Sequence, residues 1–224
     1  MATSDPKTGA MIPPVRSARL VTKDTKTLRY GRVEVVAKLP KGDWLWPAIC
    51  KCPSSILFHP VVLRKIQGMM PQDSTYGVWP RSGEIDIMES RGNGYDYEAG
   101  GRDLYYGSLH WGPSTQTDAY WRTTAAKRLK RGDFSESFHT FGLEWDEKYI
   151  YFYLNNRLTQ IMHVGFKQKE DLWKKGEFAQ MKENDTLFEN PWAGSDSTTG
   201  NAPFDQPFYL ILNVAVGSKI GWFP

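Results

Sequence analysis

Glu84, Asp86 and Glu89 interrupt an otherwise apolar run, Gly83-Glu84-Ile85-Asp86-Ile87-Met88-Glu89-Ser90. A plain amphipathic strand has no need of three acids there. Two carboxyl groups that share a site can divide acid–base work: one is ionised and attacks, the other keeps its proton and assists a leaving oxygen. Strict alternation puts Glu84, Asp86 and Met88 on one face and turns Glu89 away. A β-bulge at Met88 adds one residue, re-phases the strand and returns Glu89 to its acidic partners. The two glutamates are then about four strand steps apart, roughly 13 Å between Cα atoms at ~3.3 Å per residue. Long side chains leaning together on a curved sheet shorten that toward the roughly 5 to 5.5 Å of a retaining glycosidase pair. Three clustered acids also repel, which raises at least one pKa. The spacing alone leaves two other uses open: a strand with Ile85 and Ile87 in the core and its acids in water, or a calcium site built from the same oxygens.

The elements around this strand read as β throughout. Val33, Val35, Ala37 and Leu39 alternate with Arg32, Glu34 and Lys38, with Tyr30 on the polar side and Val36 as the exception there. That is period two, a strand with one wetter face. From Phe138 to Met162 the pattern is a meander, broken at Asp146-Glu147-Lys148 and at Asn155-Asn156, a pair suited to positive φ. Tyr149, Tyr151 and Tyr153 form a stripe on one face of its middle strand, as packing or as a sugar platform. Tyr105 to Trp111 and Phe208 to Val216 read as further strands, Lys167 to Lys182 fits a short helix, and Glu189 to Pro207 is a loop. Many short strands with polar connections point to a sandwich or jelly roll.

Composition narrows the classes further. The 224 residues suffice for one domain with a sizeable core. Nine Trp are compatible with a carbohydrate groove, because aromatic faces pack on sugars as readily as in cores. A formal charge of +3, from 28 basic and 25 acidic residues, is too balanced to argue for nucleic acid or membrane partners. The one basic cluster, Lys127-Arg128-Leu129-Lys130-Arg131, reads as a solvated loop between strands. No stretch has the roughly 18 apolar residues of a membrane span, and Met1-Ala2-Thr3-Ser4-Asp5 lacks the build of a signal peptide. Asn184-Asp185-Thr186 is a glycosylation sequon, a weak pointer to a secreted context. Cys50 and Cys52 imply no disulfide framework, with one residue between them.

Gly83 to Glu89 resembles the bulged signature of family 16 glycoside hydrolases. Its flanks, Trp79-Pro80-Arg81-Ser82 and Ser90-Arg91-Gly92-Asn93, resemble the laminarinase-like branch, which cleaves or recognises β-1,3-glucan. Tyr30 to Val35, Leu39 to Ile49, Leu109 to Pro113, Phe138 to Phe141 and Asn213 to Gly217 are similar as well, so the resemblance runs from about Val15 to the end. It implies an all-β, concanavalin-like β-jelly-roll sandwich, truncated at both ends. It implies Glu84 as nucleophile, Glu89 as general acid/base and Asp86 as the residue that holds and tunes Glu84. Trp79, His110 and Trp111 are candidate sugar contacts; core packing for each Trp, and a backbone-satisfied strand His, are the alternatives. The implied partner is a β-glucan polysaccharide or oligosaccharide, cleaved by an endo-acting enzyme or bound by a non-hydrolytic recognition protein of innate immunity. The implied location is extracellular, and no cofactor or metal is implied.

Three departures from the family pattern stand out. Val36 replaces the usual Arg. Residues 1–14 read as a disordered or non-native start, and the chain begins inside the domain 15–224 and stops before its closing strands. The run Cys50 to Gly68 has no family counterpart and reads as an insertion, either a surface loop or a translated intron. Cys50-Lys51-Cys52-Pro53 can be written TGT AAG TGT CCN, which holds a splice-donor string, and Gln67-Gly68 as CAA GGG supplies an acceptor. Excision leaves TGG, which restores Pro-Ala-Ile-Trp before Met69.

Overall fold

The period-two stretches become antiparallel ladders. The structure, a computed structural model, describes residues 17–49, 69–196, 199–217 and 221–223. The start 1–14 and the run 50–68 therefore lie outside the described residues. In chain order the strands are β1 (Arg19–Val21), β2 (Thr27–Leu28), β3 (Gly31–Ala37), β4 (Leu45–Ile49), β5 (Met70–Pro71), β6 (Glu84–Ser90), β7 (Leu104–His110) and β8 (Thr124–Arg128). They continue with β9 (His139–Trp145), β10 (Tyr149–Leu154) and β11 (Gln160–Gly165); after the helix α1 (Asp171–Gly176) come β12 (Lys182–Glu183), β13 (Thr186–Leu187), β14 (Phe208–Tyr209) and β15 (Ile211–Val216).

One sheet has the order β1-β15-β4-β6-β7-β8 and a second the order β11-β10-β9-β3. The core lies between them. Ile85, Ile87, Met88, Tyr105 and Leu109 from the first sheet meet Phe141, Leu143, Trp145, Ile150, Phe152 and Leu154 from the second, all buried. Each such side chain contributes about 1.5–3 kcal/mol through burial, and the sandwich is the arrangement that lets both apolar faces do so. A smaller sheet, β2-β14-β5, flanks them.

The meander is β9, β10 and β11 as expected, and Asn155 takes a positive φ of 65° after β10. Its tyrosine stripe faces away from the core. Tyr153 lies over Gly142, where a Cβ would come within 2.1 Å of the ring, and its hydroxyl accepts from Arg32 Nε and donates to Glu34. Tyr151 donates to the Arg157 carbonyl. The stripe packs on the outer face of the second sheet, with Tyr153 itself buried there.

Several expectations need correction. Tyr30 packs on the core, edge-on to Trp145 at 5.3 Å, because its φ of 65° breaks the alternation one residue before β3 begins. Lys127 and Arg128 belong to β8 at the sheet edge, where Arg128 pairs with Asp103. Charge at an edge strand discourages pairing with another chain, a use that a reading of charge runs as loops overlooks. Phe208 to Val216 is two strands split at Leu210, which pair with different sheets. The helix is shorter than the stretch Lys167 to Lys182 and passes into a 3₁₀ turn, Phe178–Gln180.

Candidate functional site

β6 carries the site, and its bulge is where the alternation predicts it. Asp86 pairs with Ser108 and Glu89 with Tyr106, so Ile87 and Met88 together face Gly107. Both apolar residues of the bulge point into the core. Glu84, Asp86 and Glu89 consequently share the opposite face of the first sheet, away from the core.

Each acid has a defined partner. Trp79 donates its indole N–H to Glu84 Oε2 at 2.6 Å, and Trp46 of β4 donates to Glu89 Oε1 at 3.0 Å. His110, at the end of β7, sits between two carboxylates, with Nε2 3.1 Å from Asp86 and Nδ1 2.6 Å from Asp118. Its ring stacks on Tyr120 at 5.0 Å and lies 5.6 Å from Trp79.

The electrostatics follow from this packing. Burial first, then the charge of Asp86, holds the Glu84 carboxyl well above the usual carboxylate range; His110 and Trp79 oppose the rise. Burial and Asp86 act on Glu89 in the same way, with the charge of Glu84 adding to them. Burial alone would strip the proton from His110. The hydrogen bonds to Asp118 and Asp86 outweigh it and raise the imidazole pKa well above 6.5. The outcome is an imidazolium among coupled acids, in which ionising one glutamate makes ionising the other harder.

Glu84, Asp86 and His110 also bring possible metal-ligand atoms within 4.8 Å of one another. A metal there would have to displace the proton that lets His110 bridge Asp86 and Asp118. The imidazolium already supplies the positive charge.

A cleft of about 370 Å³ opens beside these groups. Glu89 and His110 line it, with Tyr106, Ser108, Tyr120 and Trp222. Trp222 stacks on Trp46 at 4.6 Å, and the Arg91 guanidinium lies 4.0 Å over its ring. The mouth thus offers aromatic faces beside polar groups, the combination on which sugar rings pack.

Of the six residues singled out in the sequence, five converge here. Trp111 does not. One position beyond His110 it turns to the opposite face, fully buried, where its N–H donates to Thr123 Oγ1 at 2.7 Å and its ring meets Phe178. Core packing, the alternative for this Trp, is what the structure contains.

Sequence reasoning passed over Trp46, Asp118, Tyr120 and Asn213. Trp46 and Asn213 sit inside stretches quoted above and could have been found by extending the alternation across strands. Asn213 pairs with Ala48, which pairs with Glu89, so Asn213 lies on the acidic face two strands away. Its side chain is buried and neither amide atom has a hydrogen-bond partner among the described residues. Asp118 reaches His110 from a loop with no period to announce it.

Comparison with known proteins is consistent with this geometry. The model of the family described as Glycosyl hydrolases family 16 matches residues 66–206. A Beta-1,3-glucan-binding protein of Penaeus monodon is 41% identical over 214 residues, covering 96% of this chain and 50% of that protein. A Glucan endo-1,3-beta-glucosidase of Cryptopygus antarcticus is 34% identical over 205 residues, covering 91% and 56%. Among solved structures, the laminarinase catalytic domain from Thermotoga maritima superposes with a TM-score of 0.59 at 29% identity, covering 92% of this chain and 61% of that one. The chain spans about half the length of the two relatives named. With a family model matched over most of its length, a jelly-roll fold shared with laminarinases and the bulged acidic strand in place, this chain belongs to glycosyl hydrolases family 16.

Proposed function

We propose that the protein hydrolyses internal β-1,3-glucosidic bonds of a laminarin-type β-glucan by retaining double displacement. The observation that carries this is the bulge in β6, which aligns Glu84, Asp86 and Glu89 on one buried face beside a cleft. Glu84, whose bond from the Trp79 N–H at 2.6 Å is shorter than that from Trp46 to Glu89 at 3.0 Å, takes the ionised role. It attacks the anomeric carbon. As the bond to the leaving oxygen breaks, Glu89 gives that oxygen its proton. Water then enters, Glu89 takes a proton from it, and the hydroxide displaces Glu84 with the β configuration restored. Asp86 holds His110 and, through its charge, keeps the Glu89 proton in place.

Trp79 and His110 keep their proposed part in sugar contact, and Asn213 joins them as a donor and acceptor for a sugar hydroxyl. The working unit is one domain over residues 15–224 with 50–68 as an insertion, acting outside the cell. No helix among the described residues is long and apolar enough to cross a membrane.

A second reading, glucan recognition without hydrolysis, draws on the 41% identity with a protein named for binding. Laminarin separates the two. The full-length protein from the message lacking the insertion should release reducing sugar, and Glu84→Gln or Glu89→Gln should lower the rate at least ~100-fold while retaining glucan binding, as loss of a catalytic acid or base typically does. Binding without release in the unaltered protein would establish recognition instead.

A further inference from the structure

β12 and β13 form a two-stranded hairpin, with Lys182 opposite Leu187 and Glu183 opposite Thr186. Its apex is Asn184-Asp185, with φ of 50° and 63°. Two successive left-handed residues are the signature of a type I′ turn, and Asn and Asp are among the side chains that tolerate it. The turn accounts for that pair. It does not account for the hydroxyl of Thr186, which completes the only Asn-X-Ser/Thr triplet without Pro at X in the sequence.

Every residue from Lys182 to Leu187 is exposed. The Asn184 amide enters no hydrogen bond with the described residues, unlike Asn155 and Asn156, whose side chains accept from backbone N–H groups of Thr140 and Leu158. The turn makes no use of the side chain. A two-stranded ladder is also marginal by itself, so the triplet opens locally at little cost. An acceptor site needs these properties together: a hydroxyl two residues on, a side chain with no structural duty, a backbone that can open, and solvent for a bulky product.

We infer that Asn184 is an N-glycan acceptor, an inference that rests on the extracellular placement proposed above. In the transfer, Nδ2 bonds to the anomeric carbon of an oligosaccharide carried on a lipid diphosphate. The sugar–phosphate bond breaks, the lipid diphosphate leaves with its electron pair, and the amide nitrogen gives up one proton. The hairpin contributes no residue to the cleft lining, so the glycan sits apart from the acids.

The test is to secrete the full-length protein from insect cells behind a cleavable leader and to analyse only protein recovered from the medium. The peptide containing Asn184 should carry a hexose and N-acetylhexosamine mass, and peptide-N-glycosidase should remove it and leave Asp at 184. Thr186→Ser should keep the modification; Asn184→Gln and Thr186→Ala should abolish it without changing KM for laminarin. A wholly unmodified Asn184 in the secreted protein overturns the inference. Because that protein has passed through the secretory route, the result bears on the acceptor and leaves the natural location of the protein a separate question.

Discussion

Asp118 never touches the acids of β6, yet it governs the charge beside them. Its hydrogen bond is the first of the effects that overcome burial and keep His110 protonated. In Asp118→Asn the ring would lose that anion and its pKa would fall toward 6.5. Two consequences for Glu84 then compete. Losing the imidazolium removes an effect that lowers the Glu84 pKa, and losing Asp118 removes one that raises it; the imidazolium is the larger. The net prediction is a rise in the Glu84 pKa, seen as a shift of the acidic limb of kcat/KM to higher pH. Stability changes with it. A histidine whose folded pKa is raised contributes stability that is full below its unfolded value and lost as pH rises through the folded value. Asp118→Asn should therefore cost up to about 3 kcal/mol at low pH, the scale of breaking a buried ion pair, and progressively less above it. An unchanged acidic limb would sink this role. At this scale the acids were legible because they break a strand pattern, and Trp79 because it flanks them in the stretch that carries the family resemblance. Asp118 was not, since its partner is set by the path of a loop, and Trp111 misled because one residue of strand reverses the face.

At the scale of elements, the pairings of β6 bear on the proposed insertion after Ile49. On β6, Met88 pairs with Ile49 and Ile85 pairs with Met69, so Asp86 and Ile87 alone lie between the two contacts. One residue on the neighbouring strand would span that gap, with the β6 bulge absorbing the extra step. The facing agrees as well. Ile49 and Met69 are both in the core, while Met70 packs with Tyr209, Ile211 and Trp79 in a separate cluster. A single residue between Ile49 and Met69 therefore faces the acids, where excision places a Trp. We expect transcripts lacking the run Cys50 to Gly68, and a protein in which one Trp replaces it should melt several degrees higher, at about 2–4 °C per kcal/mol gained for a chain of this size. A message that keeps the run in every sample, or a lower melting temperature for the shortened protein, would contradict this. The longer strands β3, β6, β9 and β10 were readable from alternation, whereas β8 read as a loop because of its charges. Register was not, because the pairing of β6 with β4 and Met69 depends on contacts across the sheet that no local pattern encodes.

At the scale of the molecule, two sheets facing one another follow from many short amphipathic strands with polar connections. What the sequence left open was the partner of each strand. β1 pairs with β15 and β3 with β9, unions of segments more than 100 residues apart that only closure of the sandwich brings together. That closure gathers Trp46, Asn213, Glu89 and His110 from four strands onto one face of the first sheet. On the proposed function, this face performs its chemistry with retention. Proton NMR of laminarin during digestion by the full-length, uninterrupted protein reads this stereochemistry. The β anomer of the new reducing end should appear first and then mutarotate, and Glu84→Gln should abolish the signal. An α anomer appearing first, or bound laminarin with no new reducing end, would contradict it.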